Sequence, residues 1–141
     1  MPAPVLRHIK KIEYCAAYHL RRAIILPAQS QALVQEPMPW QGLPLVGLAS
    51  LEVTDEVENG VRLYTSKLTA TLCKQFQHPT RPSAFRLTDV QGRQYLLGTA
   101  LQPFALVAQN ENIGNAPSSS TANTLTVNWQ NATPILQIRV R

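Results

Sequence analysis

The histidines and cysteines of this chain are the residues from which a metal site or a thiol nucleophile could be built. Cys15 and His19 are four residues apart, a spacing that places two side chains on one face of a helix or a strand. Zinc takes three or four ligands, and neither His8 nor any other residue supplies a second pair. Cys73 and His78 are joined by a short loop in which nothing provides an orienting acid or an oxyanion hole. The sequence therefore predicts no metal site and no catalytic residue.

Four carboxylates between residues 52 and 58 are the next candidates for chemistry, namely Glu52, Asp55, Glu56 and Glu58. Paired carboxylates could serve as general acid and base or bind calcium, but the ligand order of an EF-hand is absent. Their alternation along a predicted strand is typical of a face turned to solvent or to a partner. Neither a Walker pattern nor G-x-G-x-x-G occurs. We therefore expect a protein that is not an enzyme and has no cofactor.

Charge is unevenly distributed along the 141 residues, although the formal net charge is +5. Residues 1–35 carry five bases and one acid, residues 36–60 carry five acids and no base, and residues 61–141 carry eight bases and two acids. Opposite patches could drive self-association, or these segments could simply meet within one subunit. Basic surface would also suit nucleic acid, but aromatic residues make up only 6% and no basic helix is evident. We therefore expect protein partners, with nucleic acid as the weaker alternative.

Length and composition indicate a single β-rich domain. An apolar fraction of 45% over 141 residues fits one core, and eleven prolines with a charged fraction of 15% favour strands over helices. The N-terminus lacks an uninterrupted apolar stretch of signal-peptide length, and "AIILPA" is too short to cross a membrane. We therefore expect a chain made in the cytoplasm, without membrane contact, whose two cysteines are small half-buried hydrophobic residues.

Two hairpins stand out in the alternating pattern of apolar and polar residues. Residues 48–73 read as a long antiparallel hairpin, whose turn is Asn59–Gly60 because both positions tolerate positive φ. Residues 84–98 read as a second hairpin, which turns between Asp89 and Gly92, and we expect Phe85, Leu87 and one of the faces carrying Tyr95 or Leu96 to enter the core. "TLTVNW" and "PILQIRV" predict two terminal strands, and two more are predicted before the first proline-rich segment. Eight to ten strands with closely spaced turns predict an all-β fold, a single-domain antiparallel β-sandwich or barrel.

Two segments of the single domain 1–141 read as connections. Residues 27–44 hold four prolines, which interrupt strand pairing, and this Pro-rich connector carries Trp40 either as a plug into the core or as an exposed contact. Residues 109–123 contain one large apolar residue, Ile113, and cannot bury enough surface to offset their ordering entropy. We therefore expect a flexible polar loop over residues 109–123.

Three stretches, "NGVRLYTSKLTATL", "FRLTDVQGRQYLLGTALQPFALV" and "TLTVNWQNATPILQI", carry a resemblance to known proteins. Over residues 45–141 the chain resembles small proteins encoded in prophage-like regions of Bacteroides-type bacteria. The shared features are structural: an acidic strand, a Tyr-then-Leu strand, a "TDVQGRQYLLGT" hairpin and a terminal strand pair. The resemblance implies a phage structural component, such as a tail or head–tail joining protein, made in the bacterial host cytoplasm and assembled into a virion or virion-like particle.

Two hypotheses about function follow from these patterns. The first is a non-enzymatic assembly protein that binds copies of itself, which could form a ring, together with other phage structural proteins. The second is a monomeric β-sandwich module that binds a sugar or a peptide, with Trp40 or Trp129 as a stacking platform. The candidate interaction surface for the first hypothesis consists of Glu52, Glu56, Glu58, Arg139, Arg141 and Ile113.

Overall fold

A computed structural model of the protein describes residues 5–26, 31–34, 38–73, 82–100, 104–112, 122–131 and 135–140. Within these residues the chain forms eleven strands and one short 3-10 helix, so the predicted all-β class is confirmed. The strands are β1 (Val5–Ala16), β2 (Ile24–Leu26), β3 (Gln31–Val34), β4 (Gln41–Leu43), β5 (Ala49–Glu58), β6 (Val61–Leu72), β7 (Ser83–Asp89), β8 (Gln94–Leu97), β9 (Leu106–Asn112), β10 (Ala122–Asn131) and β11 (Leu136–Val140), and the 3-10 helix is Ala17–Leu20.

All of these strands belong to one sheet. Its order is β2-β3-β11-β8-β7-β1-β5-β6-β10-β9, with β4 paired to β1 beside β5. Every pair is antiparallel except β3 with β11, which is parallel. Sheets with this many strands curl on themselves, and buried side chains from both halves of the sheet form one core cluster.

Strand β1 is the centre of the sheet. Its first half pairs with β5 and its second half with β4, while its other edge pairs with β7. The register with β7 shifts between Ile9 and Lys11, as in a β-bulge. This extra residue lets Ile9 and Ile12, three apart in sequence, both be fully buried. Because it pairs with β7 on one edge and with β4 and β5 on the other, β1 joins the two halves of the sheet.

The predicted alternation on β6 and β10 is confirmed. Leu68, Ala70 and Leu72 of β6 are buried, and Leu125, Val127 and Trp129 face them from β10. The threonines between these residues lie on the other face of the same strands and are partly exposed. The period of two therefore identified the core-facing residues of these two strands correctly.

The β7–β8 hairpin differs from the expectation that only one of its faces would enter the core. Tyr95 and Leu96 project from opposite faces of β8, and both are buried. On β7, the half-buried Arg86 is the one residue that is not buried. The turn itself is as predicted: the Asp89 carboxylate accepts hydrogen bonds from the Gln91 and Arg93 backbone N–H groups at 2.9 Å. A hairpin buried on both faces is an internal part of the fold, which alternation alone could not indicate.

The two predicted connecting segments contain more strand than expected. β3 and β4 lie inside the Pro-rich connector 27–44, on either side of Pro37 and Pro39. Trp40 precedes β4, is half-buried and packs against the core, in agreement with the plug interpretation. At the predicted flexible loop, residues 109–112 belong to β9 and residues 122–123 to β10, while residues 113–121 lie outside the described residues. Short polar strands of this kind are stabilised by pairing with a neighbour, which local composition does not reveal.

The Asn59–Gly60 turn between β5 and β6 is confirmed, with φ values of 52° and 78°. We expect Gly60→Val to lower the free energy of unfolding by about 2 kcal/mol, since a β-branched residue resists positive φ. Nothing lies within 4 Å of a Cβ at this position, so the loss would come from the backbone alone. Urea denaturation measures it.

Gly42→Val is the matched control for this turn. Gly42 lies in β4, has no positive φ, and likewise has nothing within 4 Å of a built Cβ. Valine favours strands, so this variant should unfold at nearly the wild-type denaturant concentration. Equal losses in the two variants would show that φ at residue 60 is not what limits the substitution.

Candidate functional site

Two of the four acids of β5 lie near bases of the same hairpin. Glu52 lies directly opposite Lys67 on β6. Asp55 forms a salt bridge with Arg62, which is opposite Val57, two residue pairs nearer to the turn. Of the two possibilities raised by the charge blocks, contact within one subunit is therefore realised by Asp55. Glu56 differs, because it is exposed and lies opposite the apolar residue Leu63.

The structure locates part of the predicted interaction surface. Glu52, Glu56 and Glu58 all lie on β5, whereas Arg139 lies on β11, with β8, β7 and β1 between the two strands in the sheet. The side chains of Glu58 and Arg139 are not described, and Arg141 and Ile113 lie outside the described residues. The three predicted acids thus share the strand β5, and Arg139 belongs to another strand.

Glu56 and Glu58 belong to a two-stranded ribbon, which we define as residues 54–63. In the described ranges, the last β1–β5 pair before the ribbon is Val5–Val53 and the last β6–β10 pair is Tyr64–Asn131. Among the described residues, positions 54–63 of β5 and β6 therefore pair only with each other. Val57 and Val61 flank the turn and are 60% and 53% exposed. The ribbon offers apolar side chains on both of its faces next to carboxylates.

At the other end of β1, the 3-10 helix helps to form an apolar cleft of about 210 Å³. The Ala17 N–H donates to the Pro82 carbonyl at 2.9 Å, which fixes the helix against the start of β7. Tyr18 is 49% exposed at this cleft, with the Arg21 guanidinium 5.9 Å from its ring centroid. The residues that line the cleft are Ala17, Tyr18, Pro82, Ala100 and Phe104.

Sequence reasoning predicted two strands in residues 5–26, which are β1 and β2, but it missed the cleft because it did not predict the 3-10 helix between them. The available signal was the run "AYHLRR", which carries an aromatic residue and two arginines but no acid. The remaining lining residues come from positions 82–104, and nothing local connects them to Tyr18. Arg21 is exposed and its guanidinium lies beside the Tyr18 ring, so a base borders the apolar walls of the cleft.

A largely buried ion pair between β1 and β7 has a structural role. Glu13 and Arg86 are directly opposite on β1 and β7, and the guanidinium donates two hydrogen bonds to the carboxylate at 2.9 and 2.7 Å. Their side chains are 10% and 16% exposed. The Arg86 guanidinium also lies 4.9 Å from the Trp40 ring centroid. This arrangement fastens the Trp40 segment to the sheet, since Arg86 contacts both.

The two tryptophans do not offer the stacking platform that a sugar-binding module would need. Trp129 is 1% exposed and lies on the core face of β10. Trp40 is half-buried, and Arg86 lies over its ring. A ligand ring would have to displace that guanidinium from its bidentate pair with Glu13. These positions give the binding-module hypothesis no support.

The predicted absence of metal and thiol chemistry can be compared with the described residues only. No group of three or more His, Cys, Asp or Glu side chains is placed to hold a metal ion there. Cys15 is buried, Cys73 is exposed, and His78 lies outside the described ranges. In the part of the chain that the structure describes, no helix has the length and apolar character needed to span a membrane. The described surface is thus distinguished by the ribbon and the cleft.

Comparisons of this chain with protein-family models, with curated proteins and with solved structures found no match.

Proposed function

We propose that this protein is a non-enzymatic structural protein that assembles with copies of itself, as a tail or head–tail joining component of a phage or phage-like particle. The observation that carries the proposal is the ribbon of residues 54–63, in which Val57 and Val61 are both more than half exposed. Its exposed valines and carboxylates have no counterpart in a catalytic or ligand-binding arrangement. They suit contact with another protein.

Physical reasoning about small β-structures supports this role. A two-stranded hairpin without further strands or a covering layer is marginally stable in water. The ribbon nevertheless keeps two aliphatic side chains, Val57 and Val61, more than half exposed. Burying a valine side chain contributes roughly 1.5 kcal/mol, so covering both by a partner would stabilise the ribbon and the complex together. A segment that gains stability on contact is what an assembly protein needs.

The resemblance to prophage-encoded proteins supports the finer part of the proposal. It covers β5 and β6, which form the ribbon, and it comes without catalytic motifs. The partners proposed are therefore further copies of this chain and other structural proteins of the same particle. A terminase, portal or tail-tube gene next to the gene for this protein would strengthen that assignment. The identity of the neighbouring genes is therefore a direct check on the proposal.

Self-association is the expected behaviour that tests the proposal. Light scattering after gel filtration should show a mass that rises with protein concentration and reaches a multiple of the 15.6 kDa monomer. High salt should shift this equilibrium toward monomer, because charges contribute to the contact. Electron microscopy of the concentrated protein should show rings or tubes. A strict monomer at high concentration in both low and high salt would count against the proposed function.

A further inference from the structure

We propose that the ribbon of one copy docks into the apolar cleft of the next copy, so that the partner of the cleft is the acidic hairpin of this same chain. The inference rests on the proposed function, because it names the contact through which the copies would assemble. It also explains why one molecule carries two exposed apolar features of different shape.

The strand register places the ribbon and the cleft at opposite ends of the sheet. Val5 of β1 pairs with Val53, and the ribbon continues beyond that pair. Ala16, at the other end of β1, pairs with Ser83, next to the cleft residue Pro82. A strand of twelve residues spans about 35 Å at roughly 3.3 Å per residue. A ribbon therefore cannot reach the cleft of its own subunit, and only a second copy can supply it.

Charge and polarity are complementary between the two surfaces. Residues 55–62, "DEVENGVR", carry three acids and one base, and Asp55 is already paired with Arg62. Glu56 remains exposed at the ribbon next to the two valines. Across the contact, the cleft has apolar walls, and the exposed Arg21 lies beside Tyr18 at its edge. Aliphatic side chains would enter the cleft while carboxylates meet guanidinium groups.

The symmetry of such a contact matches assembly into particles. The ribbon and the cleft are different surfaces, so their contact leaves one unused ribbon and one unused cleft on each pair of copies joined head to tail. Repetition of a contact of this type closes a ring or continues as a filament. A tail or head–tail joining component is built from repeats of that kind.

Charge-exchange variants test the contact. Glu56→Lys and Arg21→Glu, each alone, should weaken self-association at least tenfold, measured by sedimentation equilibrium. The double variant Glu56→Lys with Arg21→Glu should regain most of the wild-type affinity, since the two charges are exchanged. Arg93→Glu is the matched control, because it is an exposed arginine in the β7–β8 turn and changes the net charge equally. Circular dichroism and thermal melting confirm that each variant is folded.

The outcomes separate this inference from the proposed function. A wild-type protein that stays monomeric overturns both. Oligomers whose affinity responds no more to Glu56→Lys and Arg21→Glu than to Arg93→Glu overturn the ribbon–cleft contact and leave the proposed function standing. Affinity lost in the single variants and restored in the double variant supports the contact.

Cross-linking gives a geometric check that does not depend on affinity. In a Cys73→Ser background, Val57→Cys and Tyr18→Cys are prepared as separate proteins, both at exposed positions. A short bismaleimide should join them efficiently only when the two proteins are mixed. Val90→Cys, at another exposed valine, replaces Val57→Cys as the control and should not couple to Tyr18→Cys. Equal coupling in both mixtures overturns the proposed contact.

Discussion

Replacing Glu13 by alanine is expected to lower the free energy of unfolding by about 3 kcal/mol. The substitution removes both carboxylate oxygens from Arg86, whose side chain is only 16% exposed. A guanidinium left in that position loses its counter-charge and cannot regain full hydration. The Trp40 segment should loosen at the same time, because Arg86 is the group that holds the indole against β7. Urea denaturation followed by tryptophan fluorescence measures both effects.

Asp55→Ala provides the matched control for this prediction. Asp55 and Arg62 also form a cross-strand ion pair, but Arg62 is 53% exposed. Exposed pairs contribute at most about 1 kcal/mol, so the loss should be much smaller. The double variant Glu13→Ala with Arg86→Ala should lose clearly less unfolding free energy than the two single variants together, because the partners are coupled. Additive losses would show that Glu13 and Arg86 do not act as a pair.

Replacing Leu125 by alanine should lower the free energy of unfolding by about 3 kcal/mol, because it leaves a cavity in the core. Leu125 is completely buried on β10. Leu106, on the neighbouring strand β9, is 71% exposed, and Leu106→Ala should change stability by less than about 0.5 kcal/mol. The two variants delete the same atoms from adjacent strands, so their difference isolates burial. Comparable losses of unfolding free energy would show that the Leu106 side chain is covered, either within the fold or in an interface with another chain.

Both stability measurements should be made at protein concentrations where the chain is monomeric. Assembly stabilises the folded state by mass action and would mask part of each loss. Leu106→Ala is informative in this respect too. If it lowered the stability of the assembled protein and not of the monomer, β9 would belong to a second contact between copies.

Sequence reasoning succeeded where structure depends on neighbours in the chain. The Asn59–Gly60 and Asp89–Gly92 turns were both predicted correctly, because a turn needs particular φ values within four residues. Alternation also identified Leu125, Val127 and Trp129 as a core face. These features need only the period of a strand and the chemistry of a turn.

Sequence reasoning failed where a property depends on what covers a strand. The β7–β8 hairpin has the alternating look of a one-sided strand, yet Tyr95 and Leu96 are both buried. The strands at residues 31–34 and 109–112 are polar or short, and they exist because β11 and β10 pair with them. Neither a covering layer nor a strand that pairs from elsewhere in the chain can be recognised in the local pattern of apolar and polar residues.

The candidate site shows the same division. The acids of β5 and their position on a hairpin follow from the sequence, as does the aromatic and basic run at Tyr18–Arg22. Only the tertiary structure decides that Asp55 is neutralised by Arg62 while Glu56 stays exposed, and that Pro82, Ala100 and Phe104 form a cleft with Tyr18. Likewise, Glu13 and Arg86 meet across 73 residues of sequence because β1 pairs with β7. Turns and strand periods are short-range properties of the backbone, whereas the Glu13–Arg86 pair and the cleft arise from long-range strand order.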